Sequence, residues 1–293
     1  MSPLPTSSSA GDSREDPGKV LVVGDLHGNG THARTLLRIA ARRGCRAVFA
    51  LGDFGAVEHT RAGRRYFDHV DRAAARHDLT VYFLDGNHDN AALLLTYYRD
   101  VRDADGFLRC RNRIRYAPRG HRWTWNGTRF AAFGGAYSVD KPRRLAEQAR
   151  RAARARRHRR PPEIDSHTLW FPDEQMTDDD LKTLLAADSA PVDILLTHDK
   201  PRAAQPDHNR KTAPECLPNQ DRIQLLVDTL HPALLLHGHL HYRYTDLLTG
   251  GTGRPTRVEG LAADPDVSWH PGYHPRDSWL ELPLPYPPHT AGA

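Results

Sequence analysis

Five short stretches of this chain carry side chains that can bind a metal ion, and each lies at or just beyond the end of an apolar run. They are Asp25 with His27, Asp53, Asn87 with His88, His198, and His239 with His241. Carboxylate and amide oxygens and imidazole nitrogens donate lone pairs to divalent cations. Taken alone, each stretch has an ordinary explanation. A Gly-Asp pair is a turn, and a histidine at a strand end is a hydrogen-bonded surface residue. All five in one chain point instead to a single metal site gathered from distant segments.

The elements that must position these residues alternate in type. Val20-Leu21-Val22-Val23 reads as a buried strand that stops at Gly24. If the extended backbone continues, Asp25 and His27, two residues apart, project to the same side. Further apolar runs at 47–51 and 80–84 stop at Gly52-Asp53-Phe54-Gly55 and at Asp85-Gly86-Asn87-His88-Asp89. Helical patterns over 31–43, about 61–77 and roughly 90–99 separate and follow them. A strand-helix alternation of this kind builds a parallel sheet, and such sheets place ligands at the carboxyl ends of their strands.

Beyond residue 108 the pattern changes. Short strands around 114–116, 123–125 and 129–133, with Asn126-Gly127 as a hairpin turn, predict a second and partly antiparallel sheet. A helix with early acidic residues is expected over 173–187, a strand over 192–197 ending at His198, a long loop over 201–219 and a helix over 221–230. The run at 233–236 leads into Gly238-His239-Leu240-His241, and closing strands are expected at 242–248, 256–261 and 279–282. The expected organisation is a disordered leader at 1–18, one domain over 19–283 with a basic insertion at about 141–162, and a proline-rich tail at 284–293.

No apolar run approaches the roughly 18 to 20 residues needed to span a bilayer, and the leader lacks the apolar core of a signal peptide. Three widely spaced cysteines, Cys45, Cys110 and Cys216, show no CxxC spacing. They exclude a structural zinc finger and fit reduced thiols, so a cytoplasmic location is expected. Net charge is +5, but residues 141–160 hold ten Lys or Arg against one Glu, so the remainder of the chain is acidic.

The order Asp-x-His, Gly-Asp, Gly-Asn-His-Asp, a lone His and Gly-His-x-His resembles the calcineurin-like metallophosphoesterase superfamily. Here the motifs are Asp25-Leu26-His27, Gly52-Asp53, Gly86-Asn87-His88-Asp89, His198 and Gly238-His239-Leu240-His241. The resemblance extends over 19–282. It implies an α/β fold of two mixed β-sheets packed as a sandwich and flanked by helices. It also implies two metal ions, Mn, Fe or Zn, with Asp25, His27 and His241 on the first, Asn87, His198 and His239 on the second, and Asp53 bridging both. The expected reaction is hydrolysis of a phosphomonoester or phosphodiester by a hydroxide held between the metals. Asp53 would act as catalytic bridge, and His88 would protonate the leaving group or stabilise the phosphoryl group. Asp89 or Glu58 could orient His88.

Protein Ser/Thr phosphatases of this superfamily follow the second motif with an Asp and an Arg that serve the acid and bind phosphate. Ala56 and Val57 follow Gly55 here, so the chain resembles the broad bacterial branch instead. The Ala- and Arg-rich segment 143–160 can form a helix with charge on every face. It reads as a solvated insertion whose deletion leaves small-substrate hydrolysis intact, or as an arm that binds nucleic acid through its arginines. A nuclease or nucleic-acid end-processing phosphoesterase is therefore an alternative function, and a non-catalytic metal-binding scaffold is another. Tyr137, Asp140, His167, Trp170, His121 and Trp123 are candidates to line a substrate pocket, although aromatic packing is the ordinary role for the tryptophans.

Overall fold

The structure is a computed structural model that describes residues 15–57, 60–157, 169–206, 212–249, 255–268 and 272–287. Twelve strands and six α-helices are found among them. The first sheet contains β1 (Lys19–Val23), β2 (Ala47–Ala50), β3 (Thr80–Phe83), β4 (Leu108–Arg109), β5 (Ile114–Tyr116) and β12 (Trp279–Pro283), in the order β12-β1-β2-β3-β5-β4. Its four central strands are parallel, and β12 closes one edge antiparallel, with Lys19 opposite Pro283. The second sheet contains β6 (His121–Trp125), β7 (Thr128–Phe133), β8 (Ile194–Thr197), β9 (Leu234–His237), β10 (Tyr244–Leu248) and β11 (Thr256–Gly260), in the order β10-β11-β9-β8-β7-β6.

Strand alternation divides the apolar residues between layers. In β1, Val20 and Val22 enter the layer between the sheets, while Leu21 and Val23 enter the layer under the helices. That outer layer is covered by α1 (Gly30–Arg42) and α2 (Arg61–Ala75). Helix α1 buries Ala33, Leu36, Leu37 and Ala40, one face at helical spacing. The Asn29 side chain caps it by accepting from the Thr31 and His32 amides. A shorter helix, α3 (Ala91–Tyr98), follows β3, and α4 (Lys141–Arg157) follows β7. On the far side of the second sheet, α5 (Asp178–Ala187) and α6 (Leu217–Leu230) bury Leu181, Ile223, Leu226 and Leu230 against Leu195 and Leu235. The layering is that of the expected sandwich, helices outside two mixed sheets.

Several boundaries differ from expectation for local reasons. Helix α5 begins at Asp178 and not near 173 because Thr177 and Asp180 form a reciprocal capping box. Helix α6 begins at Leu217, inside the expected loop, because Pro218 fits its first turn, where an amide N–H has no helical partner. Asp16 and Pro17, expected in a disordered leader, accept hydrogen bonds from Asn126 at the β6–β7 turn. Tyr286, expected in a loose tail, donates its amide to Thr128 Oγ1. Among the described residues no helix is long and apolar enough to cross a membrane.

His121 and Trp123, candidates to line a pocket, lie instead in the aromatic layer between the sheets. Trp123 stacks on Phe49 and Phe130 at ring separations of 5.6 and 5.0 Å, and His121 meets Phe107 at 4.4 Å. A buried aromatic residue of this kind contributes to stability and not to substrate contact. Trp123→Ala is expected to destabilise the fold by roughly 3–5 kcal/mol, read from the urea midpoint. A loss below about 1 kcal/mol would show that the ring is not part of this core.

Candidate metal centre

The strand ends form loops at one edge of the sandwich, and those loops are not extended. Strand β1 stops at Val23, and His27 has a left-handed backbone with φ 45°. Asp25 and His27 therefore converge through a tight turn and not through strand alternation, which corrects the sequence-based reason for their pairing. Asp53, His239 and His241 also have positive φ, at 42°, 64° and 62°. This conformation is uncommon outside glycine and costs on the order of 1–3 kcal/mol per residue, so surrounding structure must impose it. The loops supply that constraint. The amides of Leu26 and His27 both donate to the Asp53 carbonyl, and the His239 amide donates to Asp25 Oδ1 at 3.0 Å. Gly86 and Gly238 are needed for close approach: a Cβ at Gly86 would collide with Asp53, and one at Gly238 with Asp25.

One cluster is made of Asp25, His27, Asp53 and His241, whose potential ligand atoms all lie within 4.8 Å of one another. His241 Nε2 is 3.1 Å from Asp25 Oδ2 and 3.2 Å from His27 Nε2. His27 Nδ1 is 3.8 Å from Asp53 Oδ2. Both carboxylates are buried, and Asp53 Oδ2 accepts no hydrogen bond.

Asn87, His198 and His239 lie on the other side of Asp53. His198 Nδ1 faces the Leu51 carbonyl at 2.7 Å and donates to it, which turns Nε2 toward Asn87 Oδ1 at 3.0 Å and Asp53 Oδ1 at 3.5 Å. The Asn87 amide nitrogen donates to Ser138 Oγ at 2.9 Å, so its oxygen is the atom presented to His198. Two lone pairs facing each other at this distance need a cation between them, either a proton or a metal ion. The His198 and His239 rings are 5.0 Å apart. Asp25, His27, Asp53 and His241 thus form one cluster, while His198 and Asn87 stand on the Oδ1 side of Asp53 and the His239 ring lies beside that of His198.

The electrostatics have the same sense. Burial opposes ionisation of Asp25, but His241 and His198 outweigh it and hold the carboxyl at about 2. Burial likewise opposes charge on His198, but Asp53 outweighs it and raises the imidazole to about 10. His241 is also raised, against its burial, by its hydrogen bond to Asp25. The centre attracts positive charge, and a donor set of carboxylate and imidazole with an unpartnered buried oxygen fits a divalent cation. His237, by contrast, is a core residue. It bonds the Gly238 carbonyl through Nδ1 and Tyr244 Oη through Nε2.

His88 donates its amide to Asp53 Oδ1, and its Nε2 lies 3.7 Å from Asp53 Oδ2. Asp89 does not orient it. The Asp89 carboxylate accepts instead from the amides of Phe54, Gly55, Ala56 and Gly86, so it shapes the loop that carries Asp53. Glu58 and His167 lie outside the described residues. The partners of His88 Nε2 are Arg144 Nη2 at 3.1 Å and Asn87 Nδ2 at 3.3 Å. Burial lowers the His88 imidazole to about 4, and Arg144 adds to that lowering while Asp53 opposes it. With Nε2 accepting from Arg144, the ring proton sits on Nδ1, a buried atom with no partner.

Arg144 was not singled out from sequence, because an arginine in an Ala- and Arg-rich helix looks like any other. The available signal was Asp140, four residues earlier, which holds Arg144 Nε at 2.8 Å and also pairs with Arg143. Arg144 Nη1 donates to the Leu169 carbonyl, and Lys141 lies 4.0 Å over the Trp170 ring. The first turn of α4 is therefore fastened beside the metal centre, which a dispensable solvated insertion did not foresee. The rest of α4 has no fully buried residue.

Two packed mixed sheets with such a centre at their strand ends are the architecture of a metallophosphoesterase. The sequence profile of calcineurin-like phosphoesterases matches residues 18–243, and the chain belongs to that family. A dimetal phosphatase from Danio rerio shares the fold at a TM-score of 0.51 and 15% identity, with 92% of this chain and 93% of that one covered. TT1561 of Thermus thermophilus aligns at a TM-score of 0.46 and 14% identity, covering 84% and 90%. Phosphopantetheinyl hydrolase from Mycobacterium tuberculosis aligns at 0.45 and 16%, covering 95% and 100%. No curated protein matches the chain in sequence.

A metal ion held by His198 or by His241 would displace the proton that the imidazole otherwise holds. Both imidazoles are raised, so proton competition is strongest at low pH and fades as pH rises. Affinity for Mn²⁺, measured by calorimetry from pH 6 to 8.5, is expected to tighten by about tenfold per pH unit for each proton displaced. An affinity independent of pH over that range would contradict this.

Proposed function

We propose that this chain is a metal-dependent hydrolase of small phosphoesters, holding one ion among Asp25, His27, Asp53 and His241 and a second among Asp53, Asn87, His198 and His239. The observation that carries the reading is the cluster of Asp25, His27, Asp53 and His241, whose potential ligand atoms lie within 4.8 Å of one another and in which Asp53 Oδ2 is buried with no donor of its own. When bound there, divalent ions supply a water of lowered pKa and positive charge for the phosphoryl oxygens.

The chain's own groups do the rest. Asp25 is held ionised at about 2, and Asp53 is also held well below the ordinary carboxylate range. Both therefore remain anionic throughout the working pH range. Asn87 adds an oxygen without adding charge, which keeps the centre receptive to an anionic ester. His88 Nε2 is the proton-handling atom. It stands beside Asp53, and once Arg144 has a better acceptor the ring proton can pass from Nδ1 to Nε2 by tautomerisation, so that Nε2 donates to the leaving oxygen or the phosphoryl group.

A second reading is favoured by α4, whose first turn lies at His88 while Arg143, Arg150, Arg151, Arg154, Arg156 and Arg157 are exposed along its length. A nucleic-acid strand engaged at the centre could continue along those arginines. Binding of oligonucleotides that weakens steeply with salt would support it.

The test is a panel of phosphomonoesters and phosphodiesters with and without Mn²⁺. Turnover is expected to require the metal. It should fall by about 100-fold or more in His88→Ala, the ordinary contribution of a proton donor, and further in Asp53→Asn. Turnover that persists in chelator, or that is unchanged in Asp53→Asn, would remove the proposed mechanism.

A further inference from the structure

We infer that Arg144 binds the third terminal oxygen of the substrate's phosphoryl group and so makes the centre selective for phosphomonoesters over phosphodiesters. This rests on the hydrolase reading above.

Arg144 is only 24% exposed and does not move freely, because two of its three nitrogens are already fixed. Nε donates to Asp140 Oδ1 at 2.8 Å, and Nη1 donates to the Leu169 carbonyl at 2.9 Å. Nη2 is left as the working end, and its contact is His88 Nε2 at 3.1 Å. An imidazole nitrogen is a weak acceptor for a guanidinium compared with a phosphate oxygen, where the hydrogen bond is charge-assisted and the planar fork matches the geometry. The charge around this end is also unbalanced. Asp140 is shared between Arg143 and Arg144, so one carboxylate faces two guanidiniums. An incoming anion completes that set.

The location matters as much as the charge. His88 Nε2, which Arg144 touches, is itself 3.7 Å from the Asp53 carboxylate at the middle of the centre. A group bound at Asp53 is therefore within one contact of Nη2. A phosphomonoester dianion carries three terminal oxygens, one more than a diester, together with a second negative charge. The extra oxygen is a stronger acceptor for Nη2 than His88 Nε2. In a diester that position is an uncharged ester oxygen with a substituent. It offers the guanidinium little.

The test uses a monoester and a diester with the same leaving group, p-nitrophenyl phosphate and methyl p-nitrophenyl phosphate, on the Mn²⁺-loaded full chain. Arg144→Gln is expected to lower kcat/KM for the monoester by about 100-fold, the scale of losing one charge-assisted donor to the reacting group, and to lower the diester by at least about tenfold less, since both esters share the loss of the Arg144 contact to His88. Arg144→Lys keeps the charge without the fork and should restore part of the monoester loss. Calorimetry supplies a readout independent of turnover. Inorganic phosphate should bind at least about tenfold more weakly to Arg144→Gln than to the wild type, and dimethyl phosphate should bind both alike. Mn²⁺ affinity should not change, because Arg144 is not a ligand. Equal losses on both esters, unchanged phosphate binding, or a wild type that prefers the diester would each overturn the inference. A wild type that hydrolyses neither ester with metal would instead overturn the hydrolase reading itself, and this inference with it.

Discussion

Asp53 Oδ2 is a charged oxygen buried in the protein with no hydrogen-bond donor. Leaving a buried polar atom unpaired costs on the order of 1–3 kcal/mol, and more when it is charged. The carbonyl and the other carboxylate oxygen of Asp53 are both engaged. Its carbonyl takes the Leu26 and His27 amides, and its Oδ1 takes the His88 amide. The backbone thus fixes the carboxylate so that one oxygen remains open toward His27 and His88. Three loops, following β1, β2 and β3, are locked together by that one residue. Asp89 secures the arrangement from behind by accepting four amides of the same loops.

The strain at the centre has a matching support. His27, Asp53, His239 and His241 all take left-handed backbones that these residue types disfavour. A layer of Phe49, Trp123, Trp125 and Phe130 between the sheets, with further apolar layers beneath the helices, gives the loops a rigid base. Stability gained in those layers offsets an unfavourable local geometry at the edge. The unfavourable geometry in turn aims lone pairs at a common point, which extended strands could not do.

The sequence displayed the alternation of strands and helices, and the apolar runs located most elements to within a few residues. The motif set displayed the four residues that cluster at the site, Asp25, His27, Asp53 and His241, and the Asn87, His198 and His239 that stand near them. What it hid was how they converge. Nothing in Asp25-Leu26-His27 announces a left-handed histidine, and the strand-alternation reading reached the right pair for the wrong reason. The role of Asp89 was hidden because its partners are backbone amides, which have no residue type to read. Arg144 was hidden by its context, since a segment rich in basic residues masks an arginine that reaches His88. The Thr177 box and Pro218 were local signals present in the sequence that the longer apolar pattern overrode.

The most direct measurement is a crystal of the protein soaked in Mn²⁺, with diffraction collected at the manganese absorption edge. Two anomalous peaks are expected on either side of Asp53, one among Asp25, His27 and His241 and the other among Asn87, His198 and His239. A single peak, or peaks away from Asp53, would contradict a centre built around a shared carboxylate.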